Sequence, residues 1–316
     1  MKRMIIASAL IGLGTAAMAA EEGFMIKGVE VSGYLDMSIS STKSDAGTDT
    51  SYGLDTAEIR FKSELADDVY IEAHIAGSGG TNSLMNSVEL EQAFMTYTGV
   101  SNLTIIGGKF LSSLGWEAYH APDLFQYSTS ATLVYPGMQN GAAAKYTFDS
   151  FSVYAAALAG VWDNYDKDGR RGGVEGHIRF TGVEDLTIFV GGARESYGAY
   201  QQSLINVWGS YSIDNLLLAA EFNSVLDWGA DGTDGFGWLF MANYTFTDQL
   251  GLTLRTSGLM VEDDAGADVN DDIKFTIAPS YALTDNMSFV LEYNILEDGV
   301  ADDTIQTAAF ETIVTF

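Results

Sequence analysis

Residues 28–39 read GVEVSGYLDMSI. Val29, Val31, Leu35 and Met37 take one face of this stretch, and Glu30, Ser32, Tyr34 and Asp36 take the other. Alternation at period two describes an extended strand with one apolar and one polar side. The same rhythm continues along the chain. Ala57, Ile59, Phe61 and Leu65 oppose Glu58, Arg60, Lys62 and Glu64. After Ala66-Asp67-Asp68 reverses direction, Val69, Ile71, Ala73 and Ile75 oppose Tyr70, Glu72 and His74. Val88, Leu90 and Phe94 then oppose Glu89, Glu91 and Met95. Further strands are expected at 103–110, 138–148, 150–160, 172–182, 185–195, 202–212, 214–225, 236–247, 249–260, 272–283, 285–296 and 304–316. Polar loops are expected at 40–51, 78–87, 161–171, 226–235, 261–271 and 297–303.

Short turns at one end of each strand pair and longer acidic loops at the other describe an all-β, antiparallel transmembrane β-barrel. The count is about sixteen strands, and an even count returns both termini to one side. At roughly 3.3 Å per residue and a tilt of about 40°, ten residues cover an apolar band of about 25 Å. Phe148, Phe151, Phe180, Tyr211, Phe246, Leu283 and Phe316 sit beside the short turns, where an interfacial aromatic girdle is expected. A soluble sandwich of this length would divide into domains, and no linker is visible. A solenoid would repeat at one fixed short period.

The ends and the composition agree with this reading. Lys2 and Arg3, the apolar run from Met4 to Gly14, and Ala17-Met18-Ala19 form a secretory leader over residues 1–19, leaving 20–316 as a single barrel domain. The apolar part is too short for a membrane-spanning helix. With 0 Cys, thiol chemistry and disulfides are excluded; with 3 Pro and 34 Gly, ladder breakers are few. Lys and Arg number 15 against 43 Asp and Glu, a net charge of −28, which argues against a nucleic-acid partner.

One connection breaks the rhythm. Residues 111–137 form the third long loop, and structureless loops of such length are usually functional. It carries Trp116, Glu117, Tyr119, His120, Asp123, Phe125, Tyr127 and Tyr135. Folding into the lumen would bury the aromatic groups and narrow a pore. Trp116, Glu117, Tyr119, His120 and Asp123 are the candidate constriction residues.

Gly108-Lys109-Phe110, Gly115-Trp116-Glu117, Pro122-Asp123, Tyr127-Ser128-Thr129-Ser130, Pro136 and Gly141 resemble the putative β-barrel porin-2 family. The resemblance is most specific over residues 105–148. It implies an outer-membrane channel of a Gram-negative bacterium, similar in layout to the general trimeric porins. Passive diffusion of small hydrophilic solutes and ions is the expected function. A sugar-selective channel, with Trp116, Tyr119, Phe125 and Tyr127 as a stacking track, and a surface barrel for adhesion are the alternatives. Expected partners are outer-membrane lipids, the barrel-assembly machinery acting on the C-terminal strand, and two further copies in a homotrimer. No cofactor is expected.

Enzyme chemistry finds little support. His74, His120 and His177 lie on different elements, and no Gly-x-Ser-x-Gly occurs. Asn164, Asp166, Asp168 and Glu175 have calcium-loop spacing. Arg170 and Arg171 sit inside it, so a solvated acidic loop is favoured and no metal is expected.

Parity assigns a candidate pore wall: Glu58, Arg60, Lys62, Glu72, Glu89, Glu91, Lys145, Arg179, Arg255 and Lys274. Glu175, Glu221, Glu292 and Glu311 point inward as well. Acids outnumber bases, and a charged ring selects the opposite ion, so cation preference is expected, with Glu117 and Asp123 at the narrowest point. Phe310, Val314 and Phe316 share one face of the last strand and are expected to close the barrel.

Overall fold

A computed structural model of the chain describes residues 24–26, 28–80, 83–132, 134–162 and 172–316. The expected leader, residues 1–19, and three candidate calcium ligands, Asn164, Asp166 and Asp168, lie outside them. The strands are β1 (Phe24–Ile26), β2 (Val29–Ser44), β3 (Gly47–Ala66), β4 (Val69–Gly80), β5 (Ser83–Val100), β6 (Leu103–Leu111), β7 (Met138–Thr147), β8 (Phe151–Leu158), β9 (Gly173–Val183), β10 (Leu186–Ser196), β11 (Gln201–Ile213), β12 (Leu216–Leu226), β13 (Asp234–Thr245), β14 (Leu250–Glu262), β15 (Asp268–Thr284), β16 (Met287–Asp298) and β17 (Asp303–Thr315). From β2 onward each pairs antiparallel with the next, and β17 pairs back onto β2, so sixteen strands close a barrel. The short β1 adds to the start of β2, with Ile26 opposite Val29.

Closure removes every sheet edge, which satisfies the backbone in hydrocarbon. The outward rows, such as Leu35, Met37 and Ile39 on β2 or Ile273, Phe275 and Ile277 on β15, are apolar. Most of their large side chains are exposed. At the short-turn end, Phe148 and Phe151 stack at 4.4 Å, and Tyr244 meets Phe246 edge-on at 4.8 Å. Asn102, Asp185 and Asp214 take positive φ of 63°, 59° and 49° in the short turns. Asn and Asp tolerate this conformation best among residues with a side chain.

Three expectations need correction. The loop placed at 40–51 is a turn at Asp45 and Ala46, because β2 runs to Ser44 and β3 starts at Gly47. The loop placed at 78–87 shrinks in the same way, with β4 reaching Gly80 and β5 starting at Ser83. The first hairpin continues beyond the apolar band, where both faces are wet and alternation vanishes while the ladder persists. On β5, the alternation predicts Phe94 outward and Met95 inward. A bulge shifts the pairing from His74↔Gln92 to Ile75↔Leu90, leaving Glu91 as the extra residue. One extra residue reverses the faces beyond it. Phe94 therefore packs inside, 6.3 Å from the His74 ring, and Met95 is exposed.

Candidate functional site: the lumen and its inserted loop

The connection between β6 and β7 folds into the lumen. Its course can be followed by the wall groups that hold it. Ser112 Oγ donates to Glu175 Oε2 at 2.6 Å; Ser113 donates from N and Oγ to Oε1 at 2.9 and 2.6 Å. Gly115 N–H donates to Asn206 Oδ1 at 3.1 Å, and Trp116 N–H to Glu221 Oε1 at 3.2 Å. Asn223 donates to Thr132 Oγ1, and Ala131 N–H donates to Ser257 Oγ. Thr129 O accepts from Lys274 Nζ at 2.9 Å, and Ser128 N–H donates to Glu292 Oε2 at 2.9 Å. Ser38 Oγ donates to the Tyr127 hydroxyl at 3.2 Å. These partners lie on β9, β11, β12, β14, β15, β16 and β2, so the loop is fastened around most of the ring.

The chemistry of this docking is backbone amides meeting carboxylates. A loop without its own ladder has N–H groups that must find acceptors when enclosed. Carboxylates at inward positions supply them, in charge-assisted bonds stronger than neutral ones. Burial and the neighbouring Glu221 and Glu117 carboxylates push the Tyr135 phenol well up, so it stays a donor, at 2.9 Å, to Glu221 Oε2. Gly115 (φ 96°) lies flat on the Tyr135 ring, where a Cβ would come within 2.7 Å of ring carbons.

Apolar groups complete the docking. Tyr154 and His177 stack at 4.8 Å, His177 meets Phe189 at 4.6 Å, Phe189 stacks on Trp208 at 4.9 Å, and Trp208 meets Trp116 at 5.5 Å. This row of rings runs from β8 across β11 to the loop. Leu114, Phe125 and Val134 join the same cluster.

Arg255 is the anchor on β14. It pairs with Glu117 and donates to Ser128 O at 2.8 Å, Ser128 Oγ at 3.1 Å and Thr129 O at 3.1 Å. The Arg255 and Glu117 side chains are 0% and 4% exposed. Glu117 also accepts from Gln126 at 2.7 Å and from Ser130 N–H at 2.8 Å.

The five candidate constriction residues therefore part company. Trp116 is buried against Trp208. Glu117 is neutralised in the Arg255 pair, which corrects the expectation that it faces the water column. His120 is buried among Glu58, Glu91 and His74. Tyr119 and Asp123 are exposed. The stacking track is corrected too: Trp116 and Phe125 are buried and Tyr127 is half-buried, leaving Tyr119 as its one exposed ring.

Among the candidate wall residues, Lys62 pairs with Glu72 at 3.1 Å and Arg60 with Glu58. Glu89 is exposed, and Lys145 and Arg179 are half-buried. Arg255 and Lys274 hold the loop. Glu175 accepts from Ser112, Ser113 and Gln139 and is 3% exposed, so it holds the loop. Glu195, at 0% exposure, accepts Val161 and Trp162 N–H at 2.8 and 2.7 Å and was missed. It shares its face of β10 with Phe189 and Ala193, an apolar inward row that hides its parity. Phe310 and Val314 face outward on β17, and Phe316 follows them.

Comparison with known proteins places this architecture. No curated protein matches the sequence. A loop-deletion variant of OmpT, an outer membrane protein of Vibrio cholerae, has 15% identity and a TM-score of 0.71, over 91% of this chain and 99% of that one. OmpF of Salmonella typhi, in a daunomycin complex, has 13% identity and a TM-score of 0.71 over 93% and 100%. An anion-selective porin from Comamonas acidovorans has 12% identity and a TM-score of 0.63 over 91% and 99%. These likenesses establish the fold. The family profile described as "Putative beta-barrel porin-2, OmpL-like" matches residues 28–315, nearly the whole barrel. The chain belongs to that porin family and is a multi-pass β-barrel of the Gram-negative outer membrane.

Proposed function

We propose that the protein is a general porin, carrying small hydrophilic solutes and ions through the outer membrane by passive diffusion and performing no chemistry. The observation that supports this most is the third loop, held inside the barrel by side chains from most of the ring. A loop fixed in this way sets a constriction without needing a ligand. The water path is proposed to pass Tyr119 and Asp123 of the loop and the polar wall of β2–β5 and β15–β17. Glu72 and Glu89 are proposed to face that path against Arg60 and Lys62, with Asp36, Glu58, Glu91 and Glu311 buried in the wall behind them, while Lys145 and Arg179 stand on β7 and β9. Counted over all these inward-facing groups, the buried ones included, acids outnumber bases, so the pore is expected to prefer cations modestly. Residues 1–19 are proposed to be removed on export. Lipids and the barrel-assembly machinery are the proposed partners of the outer face and of Phe316. A homotrimer is proposed too, as one solved structure of OmpT is a trimer form; mass in mild detergent tests it.

Single-channel recording in planar bilayers tests the main reading. Large ohmic steps that saturating sugar leaves unchanged are expected. Block by sugar would favour the selective channel, and silence the adhesive or structural barrel.

A further inference from the structure

We infer that Glu58 on β3, His74 on β4, Glu91 on β5 and His120 of the inserted loop form a binding site for a divalent transition-metal ion of the zinc class. One ligand atom from each side chain lies within 4.8 Å of all the others, and all four residues are buried. His120 Nε2 is 3.3 Å from both Glu58 Oε2 and Glu91 Oε2. His74 Nδ1 is 3.4 Å from Glu58 Oε1.

Two independent observations point to a cation. Glu58 has 0% exposure, yet among the described residues its Oε2 has no hydrogen-bond partner, since the His120 Nε2 that faces it at 3.3 Å makes its hydrogen bond with Glu91. A fully buried carboxylate oxygen costs free energy unless something positive faces it. The second observation is the tautomer of His74. Leu111 N–H donates to Gln92 Oε1 at 3.0 Å, which fixes the Gln92 amide, so Gln92 Nε2 donates to His74 Nδ1 at 3.0 Å. That nitrogen therefore carries a lone pair, and the proton of a neutral ring sits on Nε2, which faces Glu72 Oε2 at 3.7 Å. Lys62 holds Glu72 from behind at 3.1 Å. A carboxylate behind the far nitrogen of an imidazole is the usual support of a metal-ligating histidine. An ion would take the place of the Gln92 donor. Arg60 engages Glu58 through Oε1, which leaves Oε2 for the ion.

Two imidazole nitrogens and two carboxylate oxygens suit four-coordinate zinc; calcium and magnesium favour all-oxygen shells. Because three ligands come from the wall and one from the loop, an ion here would staple residue 120 to β3–β5. The Arg255–Glu117 pair holds the loop on β14, far around the ring.

The folded barrel in detergent, stripped with chelator, is titrated with Co2+ and then Zn2+. We expect one ion per chain, a visible Co2+ absorption band of four-coordinate strength, and its loss on adding Zn2+ but not Ca2+. His120→Ala and Glu91→Gln should each weaken Co2+ binding by at least about tenfold, with heat-modifiable gel migration verifying that each variant is folded. A folded wild-type barrel without the band overturns the site, as does a band that persists in folded His120→Ala. If His120→Ala does not fold, Glu91→Gln and the wild-type titration decide. The readout is optical, so it stands apart from whether the barrel conducts.

Discussion

Gly33 and Phe316 exchange two backbone hydrogen bonds, each of 3.0 Å, and the Phe316 ring lies over the space that a Gly33 side chain would fill. A Cβ at Gly33 would stand 2.8 Å from the ring and would also strike the Glu58 carbonyl. The last residue of the chain thereby completes the ladder between β17 and β2. Deleting Phe316 should lower the yield of folded barrel, and Gly33→Val should do the same by lifting the ring. Heat-modifiable migration on gels measures both, and migration equal to wild type would contradict the closing role.

Arg255 and Glu117 form a buried pair, and removing one partner leaves the other charge unpaired, at a cost of about 3–5 kcal/mol. Arg255→Met should therefore loosen the loop and give noisy or enlarged conductance steps. Steps with wild-type amplitude and noise would show that the remaining contacts hold the loop alone.

Asp123 is exposed on the loop and Glu117 is not. Asp123→Asn should move the zero-current potential in a salt gradient toward anions, and the shift should shrink at high salt, where screening shortens its reach. Lys145→Gln with Arg179→Gln should move it the other way. Glu117→Gln should leave the potential near wild type. A shift as large as that of Asp123→Asn would place Glu117 back in the water path.

Gly237 on β13 lies directly under Thr132 of the loop, whose Cβ is 3.2 Å from the position of an added side chain and whose hydroxyl is closer still. Gly237→Val should displace that part of the loop without touching any charge. The expected result is a changed conductance step with unchanged ion preference, recorded on barrels whose gel migration shows them folded.

Much of this was legible in the sequence, and the reasons it stopped are physical. Strands β2–β4 announce themselves because one face meets hydrocarbon and the other meets water, so Ile59 and Phe61 alternate cleanly with Glu58 and Arg60. On β8 the signal fades: Tyr154, Ala156 and Leu158 point inward and Val153 and Ala157 outward. Both rows are apolar because the loop, not water, covers the inner one. Glu195 was lost for the same reason. The insertion of residues 112–137 followed from their length and aromatic content. Which of their acids would meet water did not, because Arg255 lies well over a hundred residues beyond Glu117 and nothing local marks the pair.

The fastening of the third loop around the ring also says where this chain will accept foreign sequence. Each wall contact fixes the distance along the loop to the next, so extra residues inside 112–137 would throw several donors out of register. The acidic bend at 263–267 bears no such constraint, being largely exposed and held mainly by its own neighbours, and the exposed hairpin tip at Asp45 and Ala46 is tied to a neighbouring strand only at its edge, where Asp45 N–H donates to the Asp303 carboxylate. A peptide epitope or affinity tag grafted there would be displayed at the cell surface while the channel architecture stays intact.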